Sequence, residues 1–154
     1  MAHEPAERAL IQCLEPLIGN LFAMYARAHG AHWNVEGPWF PVLHGFFGSL
    51  YEDVFGSIDH FAEALRQHRA YAPCGLDELF DLGTLPEGPK FDCADPRDLL
   101  GELQRMNTAL MAALSEARDC ADAARDFGLS NFIQDREAAH LKWDWQLRAM
   151  LKGA

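Results

Sequence analysis

Apolar residues recur at steps of three and four through four stretches of helix length, and no stretch alternates apolar with polar as a half-buried strand would. In the first, Leu10, Leu14, Leu17, Leu21, Met24 and Ala28 share one face. Pro16 interrupts this stretch and is expected either to kink the helix or to mark its true start. "EGPWF" ends it, because Gly37 and Pro38 break a helix and Pro38 is suited to open the next. The second helix is predicted from about Pro38 to about Arg69. A stretch rich in Gly and Pro follows, with a short helix around Leu76–Leu82. "DPRDLL" announces the third helix, with Asp95 as N-cap, Pro96 at the first helical position and Asp98 in the first turn. It runs through Leu99, Leu103, Met106, Leu110, Leu114, Ala117, Ala121 and Ala124, with Phe127-Gly128 as its expected stop. Ser130 or Asn131 is expected to cap a fourth helix that reaches about Leu151. The prediction is an all-α protein: one four-helix bundle over residues 1–154, with a long connection between the second and third helices that carries the short one.

Charge and cysteine content narrow the function. The chain has 154 residues, 23 acidic against 13 basic, and a formal net charge of −10. A nucleic-acid binder shows a basic patch or tail, and this sequence has neither, so DNA binding is expected to be weak or absent. The carboxylate excess favours cationic partners, although a solvated acidic surface is the commoner reason for it. No apolar run approaches the ~18 residues of a membrane span. "MAHEPAERALIQ" lacks the order of a signal peptide, so a cytoplasmic protein is expected. Cys13, Cys74, Cys93 and Cys120 form no C-x-x-C motif and are expected to be separate, reduced thiols that pack as small hydrophobes.

The chemistry centres on two segments. In "HWNVEGPWFPVLHG", His32 and His44 stand twelve residues apart across a turn, one closing the first helix and one opening the second. In "HGFFGSLYEDVFGSIDHFAEAL", Glu52, Asp59 and Glu63 follow at seven and four residues, which places them on one stripe of the second helix. Each feature has a plain reading: core histidines that are hydrogen-bonded, and a solvated acidic face. Against that, Leu50, Val54, Phe55, Ile58, Phe61, Ala62 and Leu65 crowd the stripe, and buried carboxylates need a proton, a cation or a metal. Imidazole with carboxylate suits Fe, Mn or Zn. His44 and Glu63 lie ~28 Å apart along one helix at 1.5 Å per residue, too far to share an ion within one chain. If they cooperate, a second copy must run antiparallel, with the site across a two-fold interface.

"AHWNVEGPWFPVLH", followed by Asp59 and Glu63, resembles the Dps mini-ferritins, the DNA-protection-during-starvation family, and "NFIQDREAAHLKWDWQLRAML" is similar to that family's last helix. The resemblance implies a ferritin-like bundle, a hollow homo-dodecamer and a ferroxidase that oxidises Fe2+ with peroxide or dioxygen and stores the mineral, protecting against oxidative stress. It implies metal ligation by His32 and His44 of one subunit and by Asp59 and Glu63 of its two-fold mate. Zn or Mn are possible occupants of the same site. Two departures stand out. Gly48 occupies a position where the family usually carries an aspartate ligand, and Glu52, on the same stripe, is the candidate replacement. The lysine-rich tail of DNA-binding members is missing. Trp33, beside the site, is either a packed interface aromatic or a sink for stray oxidising equivalents. Trp39, Trp143 and Trp145 are expected to be packing residues. Asp122, Asp126 and Asp135 either line an iron inlet or form a plain solvated face. A DNA-compacting protein and a non-catalytic shell holding a structural Zn2+ remain as alternatives.

Overall fold

Five helices form in the computed structural model, which describes residues 4–85, 88 and 95–153. They are α1 (Pro5–Asn34), α2 (Phe40–Gln67), α3 (Leu76–Leu82), α4 (Pro96–Ala123) and α5 (Phe127–Gly153), with no strand among the described residues. α1 pairs with α2 and α4 with α5. Packing of α1 on α4 joins the two hairpins, while α2 and α5 stand farther apart and meet through long side chains, among them Phe46 on Trp143 and Phe61 on Phe132. The apolar faces close on one core that includes Leu14, Leu21, Met24, Phe47, Val54, Phe61, Leu103, Leu110, Ile133 and Leu147. Among the described helices α1 has the length and apolar content of a membrane span, but its face of Leu10, Leu14, Leu17, Leu21 and Met24 is buried in this core.

Several helix ends differ from the sequence expectation. α1 starts at Pro5, and Pro16 lies inside it without ending it. The continuous apolar face on both sides of Pro16 supplies packing that outweighs one lost backbone hydrogen bond. Trp39 is the N-cap of α2, and Pro41, rather than Pro38, occupies the first turn. α4 opens as expected, with the Asp95 side chain accepting from the Arg97 amide at 2.9 Å. It does not run to Phe127-Gly128. Arg125 takes φ +60° and ends it, with Asp126 N–H donating to Ala121 O at 2.9 Å. That is the left-handed stop usually made by glycine, and Arg69 makes the same stop after α2 at φ +62°. The cap of α5 is Asp126, whose Oδ1 accepts from the Leu129 amide at 3.0 Å. Ser130 is already inside α5 and buried.

α3 is held against α1 by backbone contact. A Cβ built on Gly19 would lie 2.6 Å from Gly83 N and 2.8 Å from Leu79 O, so only glycine fits there. One residue on, Asn20 is buried, and its Oδ1 accepts from the amides of Thr84 at 2.6 Å and Leu85 at 3.1 Å. Arg27 of α1 donates two hydrogen bonds of 2.7 Å to the nearly buried carboxylate of Glu102 on α4.

The cysteine expectation is corrected for two residues. Cys13 of α1 and Cys120 of α4 are joined as a disulfide, because the α1–α4 packing brings together positions 107 residues apart in sequence. Linear spacing carries no trace of that proximity. Cys74 is a free, exposed thiol, and Cys93 lies outside the described residues.

At one end of the bundle His68 clips three helix ends. Its Nδ1 faces Glu7 Oε1 at 3.1 Å and its Nε2 faces Asp126 Oδ2 at 2.9 Å. Burial alone pushes the His68 pKa down, but the two carboxylates outweigh it and raise the pKa above 6.5. Burial pushes the Asp126 carboxyl up, and the Leu129 amide with His68 outweighs it, holding it below its ordinary value. A raised histidine pKa stabilises fully below the unfolded value and is lost as pH rises through the folded one; a lowered aspartate pKa stabilises above the unfolded value and is lost as pH falls. The clip is therefore strongest between about pH 4 and 6.5. The thermal midpoint of His68→Gln is expected to fall below wild type at pH 6 by an amount worth about 1 kcal/mol. That deficit is expected to shrink at pH 9, and an equal deficit at both pH values would refute the assignment.

Candidate metal centre

α1 ends at Asn34 and α2 begins at Phe40, so the short connection folds the end of one helix onto the start of the other. Gly37, at φ +87°, makes the turn. This brings His32 and His44 together with their rings stacked, centroids 3.7 Å apart and 20° from parallel. The pairing is reciprocal. His32 Nδ1 is 2.7 Å from the carbonyl oxygen of His44, and His44 Nδ1 is 2.8 Å from the carbonyl oxygen of His32. A carbonyl only accepts, so each Nδ1 donates its proton, and in the neutral ring each Nε2 keeps its lone pair. Both Nε2 atoms lack a protein partner among the described residues. A histidine that ligates a metal through Nε2 is oriented by just such a bond from Nδ1 to a carbonyl. The phenyl ring of Phe40 stacks on His44, centroids 4.8 Å apart, and extends the stack.

Gly48 is buried under His32. A Cβ there would stand 3.3 Å from both Cε1 and Nδ1 of the imidazole, so any side chain requires the ring to shift by a few tenths of an ångström. Glu52, Asp59 and Glu63 lie on the opposite side of α2 from its core face and are exposed in the single chain. They form no ion pair among the described residues. Nowhere among the described residues do three His, Cys, Asp or Glu side chains gather in one chain as a metal-holding group. The structure thus brings the two histidines together and leaves the three carboxylates apart from them.

Other carboxylates and histidines have structural roles. Asp53, not singled out from the sequence, accepts two hydrogen bonds from Arg136 at 2.9 and 2.7 Å and one from Trp143 Nε1 at 2.7 Å. Burial pushes its carboxyl up, and those hydrogen bonds with the Arg136 charge outweigh burial and hold it below the ordinary range. His140 is fully buried on α5. Burial and the Arg136 charge push its pKa down to about 4, and its Nδ1 donates to Asn107 Oδ1 at 2.7 Å. Of the tryptophans, Trp143 packs on Phe46. Trp39 and Trp145 are more than half exposed, which corrects their reading as packing residues of this chain. Trp33 is 67% exposed. Asp126 is committed to the α5 cap and to His68, which removes it from the candidate inlet, whereas Asp122 and Asp135 are exposed.

A cluster that sequence reading missed adjoins His32. His29 stacks on Tyr51 with centroids 3.9 Å apart and lies 4.0 Å from the Trp33 ring. Its Nδ1 is 3.2 Å from the hydroxyl of Tyr25. The ring of Tyr51 meets His32 edge-on at 5.3 Å. The signal was present: Tyr25, His29 and Trp33 are spaced by four, which aligns them on one face of α1.

Residues 11–153 match the model of the Ferritin-like domain. A DNA protection during starvation protein of Brevibacillus brevis is 29% identical over 135 residues, 88% of this chain and 89% of that protein. The crystal structure of antigen TpF1 from Treponema pallidum superposes with a TM-score of 0.92 at 25% identity, covering 99% of this chain and 97% of that one. A Dps protein from Vibrio cholerae, described as a member of a broad superfamily of ferritin-like diiron-carboxylate proteins, superposes with a TM-score of 0.89 at 25% identity, covering 98% of each chain.

Proposed function

Because this chain belongs to the ferritin-like family and, within it, to the Dps mini-ferritins, we propose that it is a cytoplasmic ferroxidase that takes up Fe2+, oxidises it and stores the ferric mineral inside a homo-dodecamer. The observation that carries the reading is the reciprocal His32–His44 pair, two imidazoles fixed by backbone carbonyls with both Nε2 lone pairs free. Half a metal site is built in one chain, and the missing half is carboxylate. Asp59 and Glu63 stand farther along α2, within reach of these histidines only in an antiparallel second copy. The exposed Phe55 and Trp33 in one chain, together with Leu76 and Phe80 of α3, support a covered face.

In the proposed site His32 joins Asp59 and Glu63 of the partner subunit to hold one Fe2+. His44 holds a second, looser ion. The oxidant is peroxide, with dioxygen as an alternative. Two Fe2+ each lose one electron, the O–O bond of one peroxide breaks, and two protons complete two waters. Fe3+ then hydrolyses and mineralises against carboxylates inside the shell. Zn2+ or Mn2+ fit the same donors and are expected to compete with Fe2+. Stopped-flow absorbance of anaerobic Fe2+ mixed with peroxide tests the activity, and light scattering tests the assembly. A stable monomer at micromolar concentration would sink the shared site.

If Gly48 pairs with the partner's Glu63 in an antiparallel register, Glu52 pairs with the partner's Asp59. Glu52 is the proposed replacement ligand for the looser ion. Glu52→Gln is expected to lower occupancy of the second ion and slow oxidation, with the first ion kept. Gly48→Asp is expected to tighten the second position once the His32 ring has given way. Isothermal titration with Fe2+ reads both, and unchanged stoichiometry and rate in Glu52→Gln would reduce Glu52 to an interface residue.

DNA binding is not part of this function. At −10 per chain the assembled shell repels phosphate. No shift of plain duplex DNA is expected in a gel at ~150 mM salt and neutral pH, and a clear shift would favour the DNA-compacting alternative.

A further inference from the structure

We propose that Tyr25 and His29 form a proton-coupled electron donor for the iron site, with Tyr25 giving up the electron and His29 Nδ1 taking the phenolic proton. The inference rests on the ferroxidase reading and adds an activity to it. A neutral phenol is oxidised readily only if its proton leaves with the electron, which requires a base in hydrogen-bond contact. The hydroxyl of Tyr25 has one, His29 Nδ1 at 3.2 Å. For this bond to carry the phenolic proton, His29 is in the tautomer protonated at Nε2. Tyr51 and Trp33 have no such base on their O–H or N–H among the described residues, which singles out Tyr25.

The rings between Tyr25 and the iron ligand are continuous. Tyr25 lies 5.5 Å from His29 between centroids and 6.1 Å from Tyr51. His29 lies on Tyr51 at 3.9 Å, and Tyr51 meets His32 at 5.3 Å. Tyr25 is also half-buried against Phe55, centroids 4.8 Å apart, which shields it from solvent.

Gly48 supplies the reason for a donor. Peroxide takes two electrons, and a site with one tight and one loose position is often occupied by a single Fe2+. That ion supplies one electron and Tyr25 the other. Fe2+, the Tyr25 phenol, neutral His29, one hydrogen peroxide and two protons from solvent yield Fe3+, the Tyr25 phenoxyl radical, protonated His29 and two waters. The O–O bond breaks into water and no hydroxyl radical is released. A later Fe2+ restores the phenol by giving one electron, and His29 returns the proton.

The experiment adds one peroxide to the assembled protein loaded anaerobically with one Fe2+ per site and freezes it for electron paramagnetic resonance, with ring-deuterated tyrosine to identify the radical. The expected result is a tyrosyl signal that is lost in Tyr25→Phe and in His29→Gln, which keeps a polar side chain but takes no proton. It persists in Tyr51→Phe. Fe2+ binding, read by titration, stays unchanged in all three variants, and Tyr25→Phe releases more hydroxyl radical to a spin trap. A signal that survives Tyr25→Phe, or one located on Tyr51 or Trp33, overturns the proposal. Normal Fe2+ oxidation with no tyrosyl signal overturns it while leaving the ferroxidase reading standing. Absence of any Fe2+ oxidation overturns both.

Discussion

Replacing Asp59 with Asn and Glu63 with Gln in one chain is expected to lower the rate of Fe2+ oxidation by roughly a hundredfold or more, since removing even an outer hydrogen-bond partner of a metal ligand costs about 10–100-fold. The fold is expected to survive. Both side chains are exposed on α2 and form no ion pair among the described residues, and surface changes of that kind stay within about 0.5 kcal/mol. The effect separates the proposed site from a plain acidic face: amides keep the shape and remove the charge and basicity that hold Fe2+. Stopped-flow kinetics with circular dichroism and light scattering on the same samples measures rate, fold and assembly together. A wild-type rate from an intact shell would move the oxidation away from these residues.

Gly19→Ala is expected to be strongly destabilising for a change of a single methyl group. The added carbon would meet backbone atoms, Gly83 N at 2.6 Å and Leu79 O at 2.8 Å, and backbone cannot rotate aside as a side chain does. Overpacking of this kind costs about 1–3 kcal/mol. Alanine's better helix propensity offsets less than about 1 kcal/mol of that. Movement of Gly83 also pulls Thr84 and Leu85 from Asn20, a buried amide that then lacks partners. The readout is the thermal midpoint, with proteolysis in the α3 segment as a second measure. A midpoint at or above wild type would show that α3 is not seated as described.

Helix content and order were legible because packing in a bundle writes itself into sequence as steps of three and four. α3 was found at Leu76–Leu82, where a short apolar pattern sits between Gly and Pro. The misplaced end of α4 has a local cause. Arg125 and Arg69 hold left-handed conformations that a chain usually gives to glycine, so nothing in their identity marks a helix end. Phe127-Gly128 looked like a stop and lies in the first turn of α5. At the site, the spacing of His32 and His44 across a Gly–Pro turn pointed to convergence, and the rings stack. What spacing could not give is which nitrogen each ring offers, because that depends on carbonyls of the opposite helix. Asp53 was invisible for a similar reason: its partners Arg136 and Trp143 are more than eighty residues away in sequence.

The reciprocal bonds between His32 and His44 draw on the protomer's own backbone, so the imidazoles are set before any second copy arrives. In the proposed site the carboxylates arrive only with that copy. Iron affinity and subunit affinity are then two faces of one equilibrium: whatever free energy the metal gains from the paired state, the paired state gains from the metal. Under the proposed function, a newly made or misassembled chain would hold imidazoles but no competent site, and so would not bring iron and peroxide together in open solution. Dilution, rather than an inhibitor, would then be the off-switch, and added iron would drive the protomers together.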